Sequence, residues 1–217
     1  MSTIGLLGGT FNPIHFGHLR MAQELAESLN IDEVRFIPAA NPPHKPEPTI
    51  TAEHRAAMVQ LAIKDNPTFS FDDRELHRKG ASYTIDTLQS LRAELGEQVS
   101  LVLIMGSDAF TKFNTWHRWQ EIIQLCHIAL VQRPVAVSKE TLPKVLETFL
   151  HNHYTEHTHD LRESSAGFVT MQPITPLDIS STAIRNALQQ KHSARYLMPD
   201  SVLDYIHAHQ LYSAIPV

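Results

Sequence analysis

Short apolar runs alternate along the chain with longer segments whose apolar residues recur at helical spacing. Several short runs, such as residues 101–105, are apolar without alternation. That pattern is typical of strands covered on both faces, so it predicts a parallel sheet. The predicted strands are residues 3–7, 33–38, 69–71, 100–105, 127–131 and 168–171.

Residues 19–29, 52–64 and 84–95 each place apolar side chains on one face of a predicted helix. Thr51 is a plausible N-cap, Gly96 stands where a helix-ending residue of left-handed conformation belongs, and Pro199 opens a last helix. Right-handed crossovers turn the alternation into an α/β, Rossmann-like doubly wound sheet with helices on both faces. We expect a single domain over residues 1–217, with residues 180–217 forming a small helical C-terminal subregion.

Composition narrows the class of protein. At 217 residues and 42% hydrophobic content, the chain can bury a substantial core. The net charge of −5 argues against a general nucleic-acid or membrane surface, and the single Cys126 excludes an internal disulfide. Neither a signal peptide nor a membrane-spanning run is apparent, so a soluble, cytoplasmic protein is expected.

Two segments interrupt the alternation. Residues 39–48 contain four prolines, which predict a stiff loop on the ligand side of the sheet. Residues 151–160 contain histidines at 151, 153, 157 and 159. Their spacing fits no usual metal site, so a solvated loop is favoured, although a metal-binding segment remains an alternative.

Residues 8–18, GGTFNPIHFGH, lie directly between the first predicted strand and the first predicted helix. Ligands of open parallel sheets bind at this place, and paired glycines let backbone N–H groups approach phosphate oxygens. His15 and His18 can both face an anion beside the positive end of the helix dipole. The spacing fits neither a P-loop nor a dinucleotide fingerprint. It indicates a polyphosphate site, and the alternative is two histidines that only cap a helix.

A second motif, ISSTAIR at residues 179–185, opens a late helix. Its serines and threonine are good N-caps, which by itself explains them. Arg185, however, lies one turn inside that helix and can reach back to an anion at the helix start. Two helix N-termini facing one polyphosphate would form a clamp.

The two motifs together resemble those of the nucleotidyltransferase superfamily, which shares H-x-G-H with class I aminoacyl-tRNA synthetases. Within it, the chain from Gly8 to the last helix resembles the bacterial nicotinate-nucleotide adenylyltransferases. Further matches lie between the motifs, in order: Asn41-Pro42-Pro43-His44-Lys45, Ala81-Ser82-Tyr83-Thr84, Gly106-Ser107-Asp108, Thr115-Trp116 and Arg133-Pro134.

The resemblance implies adenylyl transfer from ATP to nicotinate mononucleotide, giving deamido-NAD and pyrophosphate in NAD biosynthesis. The implied catalytic residues are His15, His18 and Arg185. The implied ATP-binding residues are Gly8, Gly9, Thr10, Phe11, Gly106, Asp108, Ile179, Ser181, Thr182 and Arg185. The implied residues for nicotinate mononucleotide are Thr84, Trp116, His44 and Lys45, with the pyridine stacked on the indole of Trp116.

Phosphate chemistry sets the expected mechanism. A 5′ phosphate is already nucleophilic near neutral pH, so direct in-line displacement needs neither a general base nor a covalent intermediate. Mg²⁺ is expected to arrive with ATP, held mainly by phosphates and water, because the chain shows no obvious carboxylate cage. No residue is assigned as a metal ligand. The sequence leaves monomer or homo-oligomer undecided.

Several alternatives stay open. Asn12 stands where the family commonly has aspartate, and His117 follows Trp116 where tyrosine is frequent. Thr84 could only cap its helix, and Trp116 could belong to an apolar face shared with Phe110, Phe113 and Trp119. Rival functions are a sister transferase acting on phosphopantetheine or another phosphate ester, and a nucleotide-binding sensor without turnover.

Overall fold

A computed structural model describes residues 1–42, 50–132 and 142–213 of the chain. Within them, strands form one sheet in the order β3-β2-β1-β4-β5-β6, and every neighbouring pair is parallel. The strands are β1 (Ser2–Gly9), β2 (Glu33–Pro38), β3 (Phe69–Phe71), β4 (Val99–Gly106), β5 (His127–Gln132) and β6 (Val169–Pro173). This arrangement confirms the predicted doubly wound parallel sheet.

Helices cover both faces of that sheet. The described helices are α1 (Phe16–Ser28), α2 (Ala52–Ile63), α3 (Thr84–Leu95), α4 (Ser107–Phe110), α5 (Trp119–Leu125), α6 (Lys144–His153), α7 (Asp160–Glu163), α8 (Ser181–Gln189) and α9 (Asp200–Ala208). A short 3₁₀ helix, Phe113–Thr115, lies between α4 and α5. No described helix has the length and apolar character needed to cross a membrane.

The sequence of the central strand β4 does not alternate because both faces of the strand are covered by helices. Val102 and Ile104 pack into the core on the face covered by α1, α2 and α9. Leu101 and Leu103 pack on the other face, against residues of α3, α5 and α6. Because successive side chains of a strand point to opposite faces, a strand between two helical layers is apolar at every position.

The observed helices lie close to the predicted ranges, and the largest difference is at the start of the first helix. The first helix begins at Phe16, three residues before the predicted start, because His15 serves as its N-cap. The third helix covers its predicted range, and Gly96 ends it with φ 75° and ψ −170°. That conformation lies outside the left-handed helical region predicted for Gly96, and it is open essentially only to glycine.

The strand order reverses beside β1. Strands β2 and β3 extend from one side of β1, whereas β4 to β6 extend from the other. Open parallel sheets bind ligands beyond the carboxyl ends of their strands at such a switch point. The ends of β1 and β4 are therefore the expected location of a site.

Candidate active site

A cavity of about 730 Å³ opens beyond the C-terminal ends of β1 and β4. Its walls come from the turn after β1, the segment after β2, the start of α3 and the segment after β4. The sequence-predicted residues that line it are Gly8, Gly9, Thr10, His18, Thr84, Gly106, Asp108 and Trp116. The structure thus brings residues from four separate parts of the sequence to one cavity.

The two motif histidines stack on each other at the start of α1. Their ring centroids lie 3.8 Å apart, and the backbone N–H of His15 donates to Nδ1 of His18 at 3.3 Å. Because Nδ1 of His18 accepts that bond, the neutral ring carries its proton on Nε2. His18 lines the cavity, whereas His15 is only 4% exposed and lies behind it. The cap therefore fixes both the orientation and the tautomer of His18.

Two glycines of the first motif make room for aromatic rings. A Cβ on Gly9 would lie 2.9 Å from Cζ of Phe11, and one on Gly17 would lie 3.0 Å from Cε1 and Nδ1 of His15. Phe11 is 2% exposed and has a φ of 47°, an uncommon backbone conformation for a residue with a side chain. By contrast, a Cβ on Gly8 would meet no atom within 4 Å. Gly8 therefore faces open space, whereas a Cβ at Gly9 or Gly17 would have to displace the neighbouring ring.

The second motif contacts the first directly. The hydroxyl of Ser181 donates to the carbonyl of Pro13 at 2.9 Å, and Nη1 of Arg185 donates to the carbonyl of Asn12 at 2.8 Å. Ser180 is the N-cap of α8, since its side chain accepts from the N–H of Ala183. The stretches around residues 8–18 and 179–185 therefore form one continuous structure, although more than 160 residues separate the bonded pairs.

Not every predicted ATP-binding residue lines the cavity. Ile179, Ser181, Thr182 and Arg185 are absent from its walls, and Phe11 is buried beneath them. Nη2 of Arg185 lies 3.3 Å from the hydroxyl of Thr182, which is exposed. The start of α8 is thus beside the turn after β1, outside the cavity. His44, Lys45 and the Arg133-Pro134 pair lie outside the described residues.

Aromatic side chains form the far wall of the cavity. Trp116 is half-buried, with its ring 5.6 Å from Phe113, and it also lines the cavity. Tyr83 and His117 line the same wall and stack at 4.5 Å. Trp116 therefore belongs to an apolar cluster and to the cavity at once. The N-cap of α3 is Tyr83, so Thr84 is the first helical residue and not the cap.

Sequence reasoning missed Arg55, which lies behind the cavity wall. Its guanidinium donates to the carbonyls of Thr10, Ala39 and Ala40 at 2.7–3.1 Å, and burial lowers its pKa from the ordinary arginine value. A signal was present, because Arg55 occupies the same helical stripe as the buried Met58. A charged residue on an apolar stripe indicates a buried polar contact.

Asn12 has a second partner that sequence reasoning also missed. The hydroxyl of Tyr212 donates to Oδ1 of Asn12 at 2.6 Å, and Tyr212 is 7% exposed. Burial raises the pKa of this tyrosine well above its usual value. The last described turn of the chain therefore supports the turn after β1. Nothing in the sequence near Tyr212 indicated that contact.

The histidine-rich segment does not form one cluster. His151 and His153 belong to α6, so the predicted loop starts later than expected, and Nδ1 of His153 lies 2.9 Å from the carbonyl of Gly167. In the described part of the chain, the group whose ligand atoms come close enough for a metal comprises His159, Asp160 and Glu163. It includes one of the four histidines and lies on the surface.

Comparison with known proteins identifies the family. Residues 6–187 match the sequence model of the cytidylyltransferase-like family. A protein of Dechloromonas aromatica named "Probable nicotinate-nucleotide adenylyltransferase" is 47% identical over 96% of this chain and 97% of its own. A protein of Pseudomonas syringae pv. tomato with the same name is 46% identical over 97% of this chain and 94% of its own. The chain therefore belongs to the cytidylyltransferase-like enzymes and, within them, to the nicotinate-nucleotide adenylyltransferase family.

Solved structures share the fold. The Plasmodium falciparum nicotinic acid mononucleotide adenylyltransferase complexed with NaAD aligns over 98% of both chains with a TM-score of 0.72 and 18% identity. The same protein complexed with APC gives a TM-score of 0.70. At this identity the likeness supports the architecture alone. The family membership predicted from the motifs is confirmed by the sequence matches.

Proposed function

We propose that this chain transfers the adenylyl group of ATP to nicotinate mononucleotide, releasing pyrophosphate and deamido-NAD. The observation that carries the proposal is the junction of its two motifs. Arg185 and Ser181 of α8 bond to the backbone of the turn that ends in His15 and His18. Two helix N-termini and a guanidinium thus converge beside the cavity, and each favours bound anions.

In this mechanism the phosphate of nicotinate mononucleotide attacks the α phosphorus of ATP in line with the departing pyrophosphate. Negative charge builds up on the bridging oxygen and on the leaving group, so the enzyme acts by positioning and charge stabilisation. His18, whose Nδ1 is held by the helix cap, donates from Nε2 to a phosphate oxygen. His15 supports that ring from behind, and no covalent intermediate forms.

Arg185 neutralises the β and γ phosphates in this scheme. Its guanidinium is held by the Asn12 carbonyl and lies beside Thr182, at the first turn of α8. Because these groups stand outside the cavity, the triphosphate would leave the cavity past His18 and end against α8. Ser181 and Thr182 would supply hydroxyl and N–H donors there.

The nicotinate ring would occupy the aromatic wall. Trp116 offers its indole face, and the carboxylate would meet donors near Thr84 at the N-terminus of α3. A helix N-terminus and a charge-assisted hydrogen bond together favour a carboxylate over an amide by about 1.4 kcal/mol or more, which is about tenfold. Gly106 and Asp108 would contact the adenosine, and His44 with Lys45 would approach the phosphates.

The donor set fits a magnesium ion that arrives with ATP. Of the described residues that line the cavity, Asp108 alone carries a carboxylate. One carboxylate suits an ion held mostly by phosphates and water, as Mg²⁺ prefers. When bound, the ion would offset phosphate charge.

We further propose that residues 1–217 act as one domain in the cytoplasm, on small-molecule substrates, with 180–217 as the helical subregion.

The direct test is product formation. Purified protein with ATP, Mg²⁺ and nicotinate mononucleotide should yield deamido-NAD and pyrophosphate in equal amounts, and kcat/KM should be about tenfold or more higher than with nicotinamide mononucleotide. Equal kcat/KM for the two nucleotides would count against the assigned pocket. Turnover of phosphopantetheine without turnover of nicotinate mononucleotide would refute the proposed reaction.

A further inference from the structure

A buried arginine lies directly behind the cavity wall. Arg55 is 1% exposed, and its guanidinium donates to the carbonyls of Thr10 at 2.8 Å, Ala39 at 2.7 Å and Ala40 at 3.1 Å. No ion pair in the described part of the chain includes it. A buried cation without a counter-ion is costly, so packing alone does not account for a guanidinium at this position.

The carbonyls that Arg55 holds belong to the two turns that follow β1 and β2. Thr10 and Ala39 line the cavity, and Arg55 lies on the buried side of both. Their peptide bonds to the next residues are trans, so each carbonyl and the N–H of the same peptide plane point in opposite directions. The N–H groups of Phe11 and Ala40 therefore point away from Arg55, towards the cavity side.

The third carbonyl is consistent with this geometry. Arg55 holds the carbonyl of Ala40, and the N–H of the same peptide plane belongs to Asn41. That N–H donates to the hydroxyl of Ser82 at 3.2 Å, and Ser82 lines the cavity. In the Ala40–Asn41 peptide plane, the partner of the N–H is thus a residue of the cavity wall.

We propose that Arg55 is a positioning residue for phosphate binding, because it turns the backbone N–H groups of Phe11 and Ala40 towards a phosphate in the cavity. The inference rests on the proposed function, in which nucleotide phosphates occupy that cavity. Backbone N–H groups that point into a concave turn form an anion site, and each bond to a phosphate is charge-assisted. Arg55 itself need not touch the ligand.

A second arginine provides a matched control. Arg92 of α3, which is partly buried, likewise donates to backbone carbonyls in the described part of the chain, those of Gly96, Val99, Leu125 and Ser165. Val99 is the first residue of β4, so the carbonyls that Arg92 holds lie at the opposite end of the sheet from the cavity. Replacing Arg92 removes the same kind of contact and leaves the site unchanged.

The experiment compares Arg55→Lys with Arg92→Lys. Lysine keeps the charge but lacks the planar fork that holds several carbonyls at once. Misplacement of a binding group by about 1 Å can cost up to about a hundredfold in rate. For Arg55→Lys we expect KM for at least one nucleotide to rise about tenfold and kcat/KM to fall at least as much. For Arg92→Lys we expect KM within about twofold of wild type.

The split between KM and kcat separates positioning from a merely structural role. A loss of folded protein lowers the apparent kcat and leaves KM unchanged, since the remaining folded molecules bind normally. A folded Arg55→Lys protein with wild-type KM for both nucleotides would overturn the inference. Wild-type protein that forms no deamido-NAD would instead overturn the proposed function.

A measurement on the wild-type protein decides the matter if Arg55→Lys does not fold. The backbone amide resonances of Phe11 and Ala40 are followed by NMR during titration with nicotinate mononucleotide and, separately, with a non-hydrolysable ATP analogue. We expect both resonances to move downfield with at least one of these ligands. Saturable binding of both ligands without a shift at either amide would refute the positioning role.

Discussion

Replacement of His18 can separate two roles that its imidazole combines. Nδ1 accepts the backbone N–H of His15 and so caps α1, whereas Nε2 is the atom assigned to the triphosphate. The amide oxygen of asparagine can take the place of Nδ1, but asparagine has no donor where Nε2 lies. His18→Asn should therefore keep the cap and lose the phosphate contact, and His18→Ala should lose both.

The two roles differ in magnitude. A lost helix cap costs about 1 kcal/mol, which in a protein of this size lowers Tm by about 2–4 °C. A lost donor to transition-state charge costs about 3 kcal/mol, or about a hundredfold or more in kcat. Both variants should therefore show the fall in kcat, whereas only His18→Ala should show a lowered Tm.

The assay measures kcat from deamido-NAD formation at saturating substrates, together with Tm from thermal unfolding of the same preparations. Circular dichroism at the assay temperature serves as the control for the fold. A His18→Asn protein with near-normal kcat would refute the assigned role of Nε2. A His18→Ala protein that is inactive because it is unfolded would be recognised by its spectrum and set aside in favour of His18→Asn.

Three further predictions concern the surroundings of the site. Gly17→Ala should lower kcat about tenfold or more with little change in Tm, because the new Cβ displaces the His15 ring while alanine favours the helix; unchanged kcat would contradict this. Tyr212→Phe should lower Tm by about 2–4 °C, because the variant loses the hydrogen bond to Asn12. The buried phenol has a raised pKa and ionises more readily in the unfolded chain, so the wild-type protein should lose stability above about pH 10 and Tyr212→Phe should lose less. Identical pH profiles of stability for the two proteins would count against the buried bond. Burial raises the pKa of Cys126 to about 12, so Ellman's reagent should label this thiol only as the protein unfolds, and rapid native labelling would be the contrary result.

Much of the fold was predictable because the pattern of apolar residues within a single element indicates which of its faces are covered. In β4, a run without alternation indicates two covered faces, and the structure places its odd and even residues in separate cores. The start of α1 was less predictable. Histidine is an uncommon N-cap, and here the cap depends on a reciprocal contact between His15 and His18 that spacing alone does not reveal.

The site was predictable only where its residues lie in contiguous motifs. The two motifs were expected to face one anion, whereas the direct bond from Arg185 to the backbone carbonyl of Asn12 was not predicted. Arg55 donates to backbone carbonyls, and Tyr212 donates to the side-chain amide of Asn12. Such partners depend on the path of the chain in three dimensions, which no local pattern encodes.

In the proposed enzyme, two distant turns hold one triphosphate. A crystal structure with a non-hydrolysable ATP analogue and nicotinate mononucleotide would show whether they do. We expect Nε2 of His18 and the guanidinium of Arg185 both to lie within hydrogen-bond distance of phosphates of the same nucleotide. A triphosphate that contacts only one of these groups, or neither, would contradict it.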